Sequence, residues 1–174
     1  KPKLSQVKTD AMELGMHYAL ETKKVLGKNL IGTIQNEGVE AALAFCNEKA
    51  YPLTDSMSTK FNARIKRVSD KPRNPNNQAN PIELAHIETF KAQVSKGLSV
   101  EPILREENGK VFFYYPIVTN TMCLNCHGTP EQQITPKVYE SLSELYPQDK
   151  AIGYGPDEVR GIWSIVFDAP KKGD

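Results

Sequence analysis

The sequence is short of cysteine, of net charge and of long apolar runs, and each shortage excludes something. Three cysteines among 174 residues are an odd number, so they cannot make up a closed disulfide framework. They leave either one spare thiol or a use for all three other than pairing. With 22 basic and 21 acidic residues the net charge is +1, without the basic footprint of a nucleic-acid binder. The longest stretch free of acidic and basic residues, Val111 to Pro130, is broken by Pro116, Thr119, Asn120, Thr121 and Asn125, so it is no membrane span. Glycine and proline, at 11 and 12 residues, are too few for a collagenous or low-complexity chain. A nucleophile elbow, a phosphate-binding glycine loop and an H-E-x-x-H pair are also missing, so no enzymatic apparatus is expected beyond a bound cofactor.

What is there has ordinary globular composition, 39% apolar. It is long enough to bury a core without disulfide staples. One domain over 1–174 is expected, with an N-terminal helix at 1–34 and a core at 35–168. The chain opens on Lys1-Pro2-Lys3 with no initiator methionine or apolar leader, as a processed or trimmed chain would.

Periodicity supplies the elements. Leu4, Val7, Ala11, Leu14, Tyr18 and Val25 form a heptad-like row on a long first helix. That row serves either packing within the domain or a homodimer. A second helix is predicted from Glu37 to about Ala50, capped by Asn36 and stopped by Pro52, with Cys46 on its apolar face. Arg64 to Ser69 reads as a short strand and Lys71 to Asn80 as loop. Asn80-Pro81-Ile82-Glu83 carries an N-cap, an N1 proline and a capping-box acid for a helix reaching about Ser95. Two extended runs, Leu98 to Arg105 and Lys110 to Thr119, flank an Asn108-Gly109 hairpin signal. Thr135-Pro136 opens another helix, and Arg160 to Phe167 is the last strand. The sum is an α+β fold with a small antiparallel sheet flanked by helices.

The chemistry lies at Cys123-Leu124-Asn125-Cys126-His127. C-x-x-C-H is the attachment signature of c-type haem. Cysteines near one helical turn apart reach two vinyl groups on one porphyrin edge, and the next residue comes under the iron. Rival uses are a zinc site drawing on Cys46 and a histidine, a redox C-x-x-C pair, and a plain disulfide. The adjacency of Cys126 and His127 disfavours zinc. No thioredoxin-like βαβ pattern supports the redox pair, and a disulfide gives His127 no role. For the opposite face of the iron, the candidates are Cys46, His17, His86, Met12, Met16, Met57 and Met122, the last too close along the chain to the attachment loop to reach that face easily. On pattern alone Cys46 also reads as a small buried hydrophobe. Arg67, Lys71 and Arg73 are candidate partners for haem carboxylates, or simply a solvated loop.

Several segments together resemble a bacterial family of single-haem c-type proteins with a PAS-like fold, once catalogued as a domain of unknown function. They are Ala44-Phe45-Cys46, Arg73-Asn74-Pro75-Asn76-Asn77, Cys123 to Gly128, Leu145-Tyr146-Pro147, Asp149, Ala151, Gly153-Tyr154 and Arg160-Gly161. The resemblance implies a PAS-like α+β domain carrying one covalent haem c. It assigns Cys123 and Cys126 to the thioethers, His127 to the proximal iron position and Cys46 to the distal one. Relatives of this kind occur as free-standing proteins and as extracytoplasmic sensing parts of histidine kinases and chemoreceptor-like proteins. Covalent haem is normally assembled outside the cytoplasm, so a periplasmic or otherwise exported location is expected.

The resemblance leads to two functional expectations. One is a module sensing redox state or a diatomic gas. The other is a low-potential electron-transfer cytochrome. A distal thiolate favours ferric iron and a low potential. On reduction Cys46 is expected to loosen and open a site for CO or NO. Expected partners are a redox or signalling protein, and a second copy through the first helix. A peroxidase-like activity is disfavoured if Cys46 fills the distal position.

Overall fold

The structure, a computed structural model, describes residues 4–171, with side chains from residue 7 onward. The Lys1–Lys3 opening and the Leu4 side chain lie outside the described part. The elements in order are α1 (Leu4–Glu37), α2 (Val39–Phe61), β1 (Arg64–Val68), α3 (Pro81–Ser95), β2 (Ile103–Glu107), β3 (Lys110–Val118), the single turn α4 (Leu124–His127), α5 (Pro136–Leu145) and β4 (Val159–Asp168). The strands form one antiparallel sheet in the order β1-β4-β3-β2.

Strand alternation divides the core. Ile65, Val111, Phe113, Trp163, Ile165 and Phe167 face α1 and α2. Val68, Tyr114 and Ile162 face α3, where Ile87 and Phe90 are fully buried. The row on α1 packs inward: Val7 and Ala11 are buried, and Leu14, Tyr18 and Val25 lie against the same core as Phe113. Gly15 makes this approach possible, because a Cβ there would lie 2.2 Å from the Phe113 ring.

Two local signals act as expected. Asn80 accepts from the Glu83 amide and Glu83 accepts from the Asn80 amide, a complete capping box at the start of α3. Asn108 and Gly109 both take positive φ, 52° and 73°, the conformation of a tight hairpin turn.

Three boundaries differ from expectation. α1 runs on to Glu37, and α2 starts after Gly38, whose φ of 91° breaks the helix. The expected Asn36 cap is therefore still inside α1. Pro52 does not end α2, which continues to Phe61. A mid-helix proline loses the bond to the carbonyl four residues back, at about 3 kcal/mol. Here Glu48 and Pro52 both lie on the exposed side of the helix, while Thr54 and Met57 beyond it are buried and anchor the continuation. The run from Leu98 is also shorter than expected as strand: β2 begins only at Ile103, and Leu98 is exposed.

Candidate functional site

The C-x-x-C-H segment folds as two tight turns. Asn120 caps the first, accepting from the Cys123 amide at 3.2 Å. The second, α4, carries Cys126 and His127, with Leu124 buried beneath it. This places Cys123, Cys126 and His127 along one wall of a cavity of about 280 Å³. That volume falls just below the roughly 300–1,000 Å³ usual for small-molecule sites. The same cavity is also lined by Leu43 and Cys46 from α2, and by Leu30 and Ile34 from the end of α1. A larger groove of about 1050 Å³ lies alongside β1, but no cysteine or histidine lines it. The chemistry belongs to the smaller cavity.

His127 is fixed by its neighbours. Its Nδ1 lies 2.7 Å from the Ala151 carbonyl oxygen. A carbonyl only accepts, so Nδ1 carries the proton and Nε2 keeps a free lone pair. Arg160 Nε, 3.3 Å from the same Nδ1, therefore lies against the ring without donating to it. Burial, joined by the Arg73 and Arg160 charges, holds His127 well below its ordinary range. The imidazole is neutral, as a metal ligand requires.

The loop supplying Ala151 is tied to the motif at several points. Tyr154 N donates to His127 O at 2.9 Å, and Gly153 N donates to Gly128 O at 2.8 Å. Arg73 Nε donates to Asp149 Oδ2 at 3.0 Å, and its Nη2 donates to the Cys126 and Ala151 carbonyls. Asp149 Oδ1 in turn accepts from Ala151 N at 2.8 Å. Arg160 bonds Ser69 Oγ at 2.9 Å. Lys71 donates to Ile152 O at 3.0 Å, its ammonium 4.6 Å from the Tyr154 ring centroid. The scattered residues of the resemblance, Arg73, Asp149, Ala151, Gly153, Tyr154 and Arg160, thus converge behind His127.

The thiols differ in environment. Burial pushes Cys126 up to about 11, against the opposing pull of Arg73. Burial also raises Cys46, with Arg67 and Arg73 acting the other way. All three thiols are unpaired. Of the seven candidates for the second iron position, Cys46 and Met122 line the cavity. His17 packs against Phe61 at 5.3 Å, and His86 against Tyr114 at 4.4 Å. Met16 and Met57 belong to the core beneath α1. Among the described residues no group of three or more His, Cys, Asp or Glu side chains is placed to hold a metal ion.

The site fits a covalently tethered haem on its own chemistry. Two cysteines sit one turn apart, and the histidine beside them has a free Nε2. A third thiol shares the cavity with them, and much of the remaining wall is apolar. These are the four residues the sequence reading singled out, and the structure brings them to one cavity. That reading missed the Ala151 carbonyl that orients His127, because a backbone acceptor 24 positions away leaves no side-chain signal. It also took Arg73 for a partner of haem carboxylates or a solvated loop cation, whereas its partners are Asp149 and two carbonyls.

A family model described as Tll0287-like matches residues 5–167. Among solved structures the chain is similar to the cyanobacterial heme-protein Tll0287, at 17% identity and a TM-score of 0.61, over 91% of this chain and 97% of that one. At that identity the likeness establishes the fold, which is the expected PAS-like α+β arrangement. No curated protein sequence matches.

Proposed function

Because the chain belongs to the Tll0287-like family, we propose that it is a haem-binding protein holding one haem c through thioethers at Cys123 and Cys126. His127 is the proximal iron ligand and Cys46 the distal one. The observation that carries this reading is the meeting of all four residues in one cavity, with His127 Nε2 left free. When bound, the haem supplies an iron that changes oxidation state. The chain supplies the rest: it tethers one porphyrin edge, orients the imidazole through Ala151, and excludes water with Leu30, Ile34 and Leu43. No further catalytic role is proposed. Thioether assembly implies an exported protein.

A sensing role is the preferred form. Leu30 and Ile34 line the cavity, while the earlier turns of the same 34-residue helix pack on the sheet. A shift at the cavity therefore has one continuous element to move along. Electron transfer is the second reading, supported by Val118 and Met122, which line the cavity and are exposed. They give a redox partner an apolar surface beside the haem.

The test is expression into the periplasm of a host with haem-attachment machinery. Haem staining after denaturing electrophoresis should mark the wild type and not a Cys123→Ser, Cys126→Ser double variant. A wild type that takes up no haem would overturn the proposal.

A further inference from the structure

Among the described residues three arginines line the cavity, Arg67, Arg73 and Arg160, and no carboxylate does. Two of the three are committed. Arg73 is held by Asp149 and the carbonyls of Cys126 and Ala151, and Arg160 by Ser69 Oγ and the Lys71 carbonyl. Arg67, half-buried on β1, has no side-chain hydrogen bond or ion pair among the described residues. The titratable groups acting on it are Cys46, Tyr51 and Tyr146, none of them a carboxylate. A guanidinium stays charged, and a desolvated charge without a counter-charge is costly. Arg67 thus faces no carboxylate, and its one anionic neighbour in the haem reading is the Cys46 thiolate, whose charge is shared with the iron.

Position says what kind of anion. Arg67, with Val68, Tyr51 and Asn77, borders both the cavity and the wide groove alongside β1. Cys123 and Cys126 border the cavity alone. A porphyrin tethered through its vinyl groups carries its two carboxylates on the edge away from the tether. The planar five-donor guanidinium matches a carboxylate in a bidentate fork.

We infer that Arg67 is a positioning residue that holds a carboxylate of the cofactor where the cavity meets the groove. This rests on the haem reading above and assigns one porphyrin edge within it. It also separates the cations that the sequence left together: Lys71 and Arg73 build the loop behind His127, and Arg67 faces the ligand.

The test uses the full haem-free chain and two probes that cannot form thioethers, ferric mesoporphyrin and its dimethyl ester, titrated by the Soret band. Wild type should prefer the free acid by about tenfold or more, the scale of a charge-assisted hydrogen bond. Arg67→Gln should lose that preference with ester affinity unchanged, and Arg67→Lys should keep part of it. A full preference in Arg67→Gln overturns the inference alone. A wild type that binds neither porphyrin overturns the haem reading and this inference with it. Should Arg67→Gln fail to fold, Arg67→Lys decides: an affinity ratio equal to wild type would show that the bidentate fork contributes nothing and overturn the assignment.

Discussion

His127 Nδ1 and the Ala151 carbonyl oxygen lie 2.7 Å apart, and this one contact sets the tautomer, the ring orientation and the availability of Nε2. Metal-binding histidines are commonly held this way. Burial and two arginines keep the ring neutral, which has a consequence for the haem-free protein. The unfolded chain takes up a proton near pH 6.5, whereas the folded chain does so only well below that. Above about pH 7 both states are neutral and the group has no effect. As pH falls through about 6.5, folding loses up to about 1.4 kcal/mol per pH unit until the folded value is reached. Burial and Arg105 lower His86 in the same direction, so His127→Asn should remove only part of the slope. Urea unfolding of both proteins at pH 7.5 and 5.5 measures it, and equal slopes would contradict the assignment.

The Arg73–Asp149 pair is largely buried, each side chain 11% exposed. Asp149→Asn leaves the guanidinium without its counter-charge. Losing one partner of a buried pair costs about 3–5 kcal/mol, reduced here by the two carbonyls that Arg73 keeps. A loss of roughly 2–3 kcal/mol is expected, lowering the melting temperature by about 4–12 °C. The proximal loop should loosen first, visible as faster amide exchange at Ala151 and Tyr154. Unchanged stability and exchange would show that the pair does not hold the loop.

Gly15→Ala tests where the first helix belongs. A Cβ there meets the Phe113 ring at 2.2 Å, so helix and sheet must separate. Overpacking of this kind costs about 1–3 kcal/mol. Thermal melting should fall accordingly with no change in sedimentation. A stable variant that changes its association state would place the helix face between chains instead.

These elements also mark what the sequence reveals by itself. Local chemistry was legible: the Asn80–Glu83 capping box, the Asn108-Gly109 turn and the single turn of C-x-x-C-H each follow from neighbouring residues. Non-local effects were less so. Pro52 signals a helix end, yet burial of Thr54 and Met57 carries α2 past it. Gly38 rather than Asn36 separates α1 from α2, because its positive φ sets the corner. Cys46 was identified through resemblance, since its apolar face alone equally describes a core cysteine. The contribution of Leu30 and Ile34 to the cavity depends on how α1 crosses α2, which no short window contains.

The central claim is that Cys46 and His127 hold the iron from opposite sides. Its most direct test compares the optical and EPR spectra of the ferric haem-loaded wild type with those of Cys46→Ala, at matched haem content. The account predicts a low-spin, six-coordinate signal in the wild type and a high-spin signal in the variant. A Cys46→Ala protein that keeps the wild-type low-spin spectrum would contradict it.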